Sequence, residues 1–272
     1  MSQAHGSRRF SMGRVLALLK KELLDLKKNR GLVYSMLALP SVIVVVPMGI
    51  VRTYARRPED PNLKLMARYF DHTVASQDAV RFLVDKVLAD WFVLYLVMPV
   101  FVPILISSHA VAGEKEKRTL EPLLASPITP VELVLGKSLA SLIPAVGVCL
   151  IAFAGLCVGV DWAAWPLTHA PVLPNAMWLF GVFCIAPLFA FFGNGVAVLI
   201  SAYVGDSRLA QQLSGLVVLP LVGLAAGQFG GLLRSGTAYY GLIALVVLVL
   251  DGLLVVLVPR LFDRERLMTK WG

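Results

Sequence analysis

Apolar residues along this chain gather in six blocks: Leu32 to Val51, Trp91 to Val111, Ser138 to Val160, Met177 to Val204, Leu213 to Leu233 and Ala238 to Val258. Each block is near the ~20 residues that a helix rising 1.5 Å per residue needs to cross ~30 Å of hydrocarbon. Backbone polar groups inside a bilayer must be satisfied internally, so blocks of this length predict six membrane-spanning helices. The stretches between them carry the turn and charge signals of backbone returning to water. Asp251 is the one charged residue deep inside a block.

Two polar stretches also show a helical period. Before the first block, Met12, Val15, Leu16, Leu19, Leu23 and Leu26 form a stripe, with Arg14, Lys20, Lys21, Lys27 and Lys28 largely off it. This predicts an amphipathic helix on the membrane surface within residues 1–31, either a plain anchor or a connecting helix that also meets a partner. Residues 52–90 form the longest hydrophilic connection, and Val80, Leu83, Val84, Val87 and Leu88 fall on one face. They predict a short helix running into the second span, with Ser76 as its N-cap and Asp78 in its first turn.

Composition agrees with this division of the chain into residues 1–31, a six-span domain over 32–258 and a tail over 259–272. Hydrophobic residues make up 58%, charged residues 15%, and the mean hydropathy is +0.77; a soluble domain of this length is not so apolar. With an even number of spans both termini share one side. Placing them in the cytoplasm puts 17 of the 25 basic residues there, while acidic residues nearly cancel the eight on the other side. The net charge of +8 follows from that asymmetry and from attraction to anionic lipid, and gives no support for nucleic-acid binding. The expected location is a cell membrane, most simply a bacterial inner membrane. Cys149, Cys157 and Cys184 all fall in spans and read as small core residues. The four histidines are scattered, so no metal site is assigned.

The stretch 112–137, AGEKEKRTLEPLLASPITPVELVLGK, is the most distinctive. Glu114, Glu116, Glu121 and Glu132 alternate with Lys115, Lys117 and Arg118, while Leu120, Leu123 and Leu124 form an apolar ridge and Pro122, Pro127 and Pro130 force a turn. A solvated charge run would merely turn the chain. A leucine ridge flanked by ion-pairing groups also suits a helix that seats in a groove on another protein, as a coupling element must.

These residues resemble the permease subunits of the ABC type-2 exporters, in order as well as content. That family is similar in its basic amphipathic helix, its six spans and a segment of the form Glu-x-Glu-x-x-Thr-Leu-Glu-x-Leu-Leu followed by Pro and Gly-Lys. Here it reads Glu114, Glu116, Thr119, Leu120, Glu121, Leu123, Leu124, Pro127, Gly136 and Lys137. A weaker second patch comprises Gly193-Asn194-Gly195, Ser201-Ala202-Tyr203 and Gln211 to Pro220.

The resemblance implies an all-α membrane protein that pairs with a second permease copy or a homologous permease. It also implies a cytoplasmic ABC ATPase subunit as partner, which would hold the ATP and Mg. The permease itself would bind no cofactor and perform no chemistry. In agreement, the chain lacks the Gly-x-x-x-x-Gly-Lys-Ser/Thr loop that cradles nucleotide phosphates. By the same resemblance Glu114, Glu116, Thr119, Leu120, Glu121, Leu123 and Leu124 form the ATPase-coupling element.

Asp251 and Asn194 are candidates for a translocation path. A central carboxylate costs roughly 2.5–3.5 kcal/mol on insertion scales, so Asp251 must face protein or water. It serves as a cation or proton site, or it pairs with a neighbouring helix or stays protonated. The first of these leaves an ion-gradient-driven secondary transporter as the alternative function.

Overall fold

The structure, a computed structural model, describes residues 10–109, 112–116, 128–233 and 236–261. Among them the chain is helical, and six helices are long and apolar enough to cross a membrane. In order they are α1 (Met12–Lys28), α2 (Arg30–Arg56), α3 (Pro61–Phe70), α4 (Ala79–Ser107), the short α5 (Ala112–Glu116) and α6 (Pro130–Thr168). There follow α7 (Ala176–Phe180), a π turn (Gly181–Ile185) and α8 (Ala186–Tyr203). The last are α9 (Ser207–Gly215), a 3₁₀ turn (Leu216–Val218), α10 (Leu219–Phe229) and α11 (Thr237–Leu261). The spans are α2, α4, α6, α7 with α8, α9 with α10, and α11.

Most helices overrun the apolar blocks that announce them. With 39 residues, α6 is ~58 Å long, about twice the hydrocarbon thickness, so its polar ends stand outside it. The second and fifth spans stop short at their far ends. The second ends at Ser107, before Val111, because the chain turns at Ser108 and His109, and the fifth ends at Phe229, before Leu233.

The helix expected to run into the second span is continuous with it as α4, and Val80, Leu83, Val84 and Leu88 are buried as their spacing requires. Its start differs from expectation. Asp78, not Ser76, holds the N-cap position, and the Ser76 hydroxyl accepts a hydrogen bond from Arg68 of α3 (2.8 Å). Helix α3 is opened by Asp60, whose carboxylate accepts the Asn62 N–H (2.9 Å), with Pro61 in the first turn. It packs Leu63, Ala67 and Phe70 against Ala79 and Leu83.

α4 is the axis of the bundle. Of its most apolar window 78% is buried, against 22% for α2 and for α11, whose other faces are left for lipid or a partner. Around it Phe92, Tyr95, Phe153, Trp178 and Tyr240 make a cluster of mostly edge-to-face rings. The π turn has a local cause. Pro187 lacks an N–H and its ring crowds the carbonyl four residues back, and a wider turn relieves both. Gly181 in that turn admits the Phe92 ring, which would stand 2.0 Å from an added Cβ. Cys149 is buried and Cys157 half-buried, but Cys184 is exposed on the outside of the bundle and is not a core residue.

Candidate functional site at the terminal end of the bundle

Helix α1 and the last turns of α11 lie at the same end of the bundle, where Leu18, Leu133, Val198, Ala202 and Val258 share one small core. This end also carries both feet of the segment that joins the second and third spans.

The second foot is built on Glu132. Thr129 caps α6: its hydroxyl accepts the Glu132 N–H (3.3 Å), and the Glu132 carboxylate accepts the Thr129 N–H (2.8 Å). This reciprocal pair satisfies two donors that the helix start would leave open. The same buried carboxylate also accepts the Ser11 N–H (2.6 Å) and an Arg14 guanidinium N–H (3.1 Å), so it fastens the start of α1 to the start of α6. One turn further along α6, Gly136 makes room for Leu18, whose Cδ2 would lie 2.7 Å from an added Cβ. Lys137, buried, then donates to Glu22 of α1 (3.2 Å). Val15 and Leu18 are the buried residues of α1, while Met12 and Leu16 of the predicted stripe stay exposed. The helix therefore lies with one flank on α6 and an apolar flank turned outward.

The first foot rests on α8 and α9. The Ser201 hydroxyl of α8 accepts the Ala112 N–H of α5 (2.9 Å) and donates to the Ser108 carbonyl (3.0 Å). Glu116, the last residue of α5, accepts the Ser207 N–H (2.7 Å) and the Ser207 hydroxyl (3.1 and 3.0 Å to its two oxygens). Its charge thus sits at the positive end of α9, beside the N-cap Asp206, which accepts the Leu209 N–H (2.9 Å). Glu114 lies on α5. Thr119, Leu120, Glu121, Leu123 and Leu124 lie outside the described residues.

Just inside the bundle from the first foot is a polar junction of three spans. The Asn194 amide oxygen accepts the Ser107 hydroxyl of α4 and the Ser141 hydroxyl of α6, both at 2.7 Å, and all three residues are buried. Successive residues on a helix point 100° apart, and Gly193-Asn194-Gly195 uses this to meet three neighbours. Gly193 lies on α4, where an added Cβ would stand 2.5 Å from the Val100 carbonyl oxygen. Gly195 lies on α11, where it would stand 2.9 Å from Leu254 Cδ1. Asn194 therefore bonds across helix interfaces. It also lines a cavity of about 250 Å³ between α6, α8 and α11.

Asp251, on α11, is 5% exposed, and neither carboxylate oxygen meets a hydrogen-bond partner among the described residues. The expectation that it pairs with a polar group on a neighbouring helix is not met there.

Sequence reasoning passed over Glu22 and Ser207, and it named Glu132, Arg14 and Ser201 without their partners. For Glu132 a signal existed, since Thr129-Pro130-Val131-Glu132 is a capping-box pattern with proline at the first helical position. The partners of Glu116 and Lys137 stand 91 and 115 residues away in the chain, and no local pattern joins them.

The family model described as ABC-2 family transporter protein matches residues 16–237, from α1 to the start of α11. No curated protein matches the chain.

Proposed function

Since the chain belongs to the ABC-2 family of transporter proteins and is a permease of an ABC-type transporter, we propose that it is the membrane half of an ATP-driven exporter, moved by a separate cytoplasmic ABC ATPase. In this reading the terminal end of the bundle is cytoplasmic, as the distribution of basic residues favours. The segment between the second and third spans is the part the ATPase grips. The observation that carries the reading is the pair of feet. One ties the segment to α8 and α9 through Ser201 and Glu116, the other to α1 and α6 through Glu132 and Lys137. A push on residues 117–127 from below would therefore reach the two halves of the bundle together. The permease would pair with a second copy or a homologous permease, and ATP and Mg would be held by the ATPase.

Within this scheme Glu114, Glu121, Leu120, Leu123 and Leu124 meet the ATPase. Glu116 instead anchors the segment to α9, which revises the role that family resemblance implies for it. The test is to co-express the chain with its ABC ATPase partner, capture the permease, and measure ATPase stimulation and transport in vesicles. Reversing the charge at Glu114 and Glu121 should leave the permease inserted and abolish stimulation. Glu116→Gln should keep the ATPase bound while transport per ATP falls. Normal stimulation and transport in the Glu114/Glu121 variant, or loss of ATPase binding in Glu116→Gln, would count against this arrangement.

A further inference from the structure

The cavity between α6, α8 and α11 has apolar walls and a polar spot at one end. Leu133, Val198 and Val258 share a small core at the terminal end of the bundle. From that level the cavity follows α6 as far as Ser138, α8 as far as Phe191 and α11 as far as Leu254. The seven-residue step from Val131 to Ser138 gives it a length of about 10 Å. Val131, Leu135 and Val255 on its rim are 50, 40 and 55% exposed, so it opens sideways between α6 and α11. Asn194, Val198 and Leu254 on its floor are buried.

Two polar side chains border this space without using all their donors. Asn194, 3% exposed, engages its Oδ1 with the hydroxyls of Ser107 and Ser141. Its Nδ2 makes no hydrogen bond among the described residues, and it is not sealed in protein as the Asp251 oxygens are. It therefore opens onto the space that Asn194 lines, which is this cavity. The Ser138 hydroxyl likewise has no partner among the described residues. The two side chains are neighbours, because the Ser141 hydroxyl lies 2.7 Å from Asn194 Oδ1 and 2.9 Å from the Ser138 carbonyl.

This lining selects its guest by chemistry. No Asp, Glu, Lys, Arg or His borders the cavity, and Glu132 and Lys137 of α6 turn instead to Arg14 and Glu22 of α1. An ionic guest would lose its hydration with no countercharge in reach. A pure hydrocarbon would cover the walls and leave the Asn194 amide and the Ser138 hydroxyl unbonded. Water held by those two groups would leave most of the apolar wall uncovered. An apolar body carrying one hydrogen-bond acceptor meets both demands. The volume of about 250 Å³ suits a chain of roughly ten heavy atoms, by proportion with the ~150 Å³ apolar cavity that holds benzene.

We propose that this cavity binds an uncharged lipophilic molecule with a carbonyl-type acceptor, taken from the bilayer. The acceptor receives hydrogen bonds from Asn194 Nδ2 and Ser138 Oγ, and the apolar chain runs toward Val131 and Val258. The site lies within one permease chain and depends on neither the ATPase partner nor the exporter reading.

The test uses the full-length protein in phosphatidylcholine nanodiscs and a nine-carbon methyl ketone with a diazirine in its chain as photolabel. Labelling should saturate at about one per chain and fall on the walls formed by Val131, Leu135, Val255 and Val258. Nonan-2-one should displace the label about tenfold better than nonane at equal mole fraction in the lipid. Asn194→Leu should erase that preference. Ser138→Ala, which breaks no side-chain hydrogen bond recorded among the described residues, should lower it to about threefold and decides the matter if Asn194→Leu fails to fold. Val255→Trp, at the rim, should block labelling. Absence of saturable labelling would overturn the proposal, as expected if a second copy covers the rim. Equal displacement by ketone and alkane would also overturn it, leaving an unselective slot for acyl chains, and so would a preference that survives both polar substitutions.

Discussion

Replacing Asn194 by alanine asks whether α4, α6 and α8 are held together by a hydrogen-bonded junction or by shape alone. Two hydroxyls donate to the Asn194 oxygen, but they do not stand to lose equally. The Ser141 hydroxyl has one proton and already lies 2.9 Å from the Ser138 carbonyl on its own helix, so without Asn194 it turns there at little cost. Ser107 has no second acceptor recorded among the described residues and is 1% exposed. Hydrogen bonds between membrane helices are worth ~0.6 kcal/mol on average and up to ~1.7. We therefore expect a coupling of about 1.5 kcal/mol for Ser107 with Asn194 and below about 0.5 for Ser141 with Asn194. The assay is reversible unfolding in mixed micelles, followed by helical circular dichroism, for N194A, S107A, S141A and the two double variants. The void left by N194A appears in single and double variants alike and largely cancels from the coupling. Additivity of S107A and N194A, or a larger coupling for S141A, would refute the argument.

Two other expectations use the same unfolding assay. Gly193→Ala should cost about 1–3 kcal/mol, because its Cβ meets the backbone carbonyl of Val100, whereas Gly195→Ala meets the end of the Leu254 side chain and should cost less; equal losses would contradict this. Glu22→Ala should destabilise more than Lys137→Met, by about 1–2 kcal/mol. The first takes an ion-pair partner from an ammonium group 5% exposed, while the second leaves a carboxylate 24% exposed that water can reach.

Much of the fold was legible because membrane helices are specified locally. The six blocks correspond to six spans, and the face of Val80, Leu83, Val84 and Leu88 is buried as its period requires. Ser76 was misread because two candidate caps, Ser76 and Asp78, lie two residues apart, and its contact with Arg68 draws it toward α3. The charged stretch between the second and third spans was recognisable as a motif, yet the work of its charges was not. Glu132 looked like one more solvated charge and is a buried clasp, and nothing local announced that Glu116 accepts hydrogen bonds at the start of α9.

What the amino-acid order determined by itself was therefore the number of the spans and their places along the chain, since a helix that crosses hydrocarbon satisfies its own backbone and needs only a long enough apolar run. What the tertiary structure alone decided was the partner of each polar side chain. That choice depends on how each helix is rotated about its axis and which neighbour it meets, and a turn of 100° separates one residue from the next. Hence Gly193, Asn194 and Gly195, adjacent in the chain, serve three different interfaces. Asp251, conspicuous in the sequence for its charge, is distinguished in the fold by having no partner among the described residues to neutralise it.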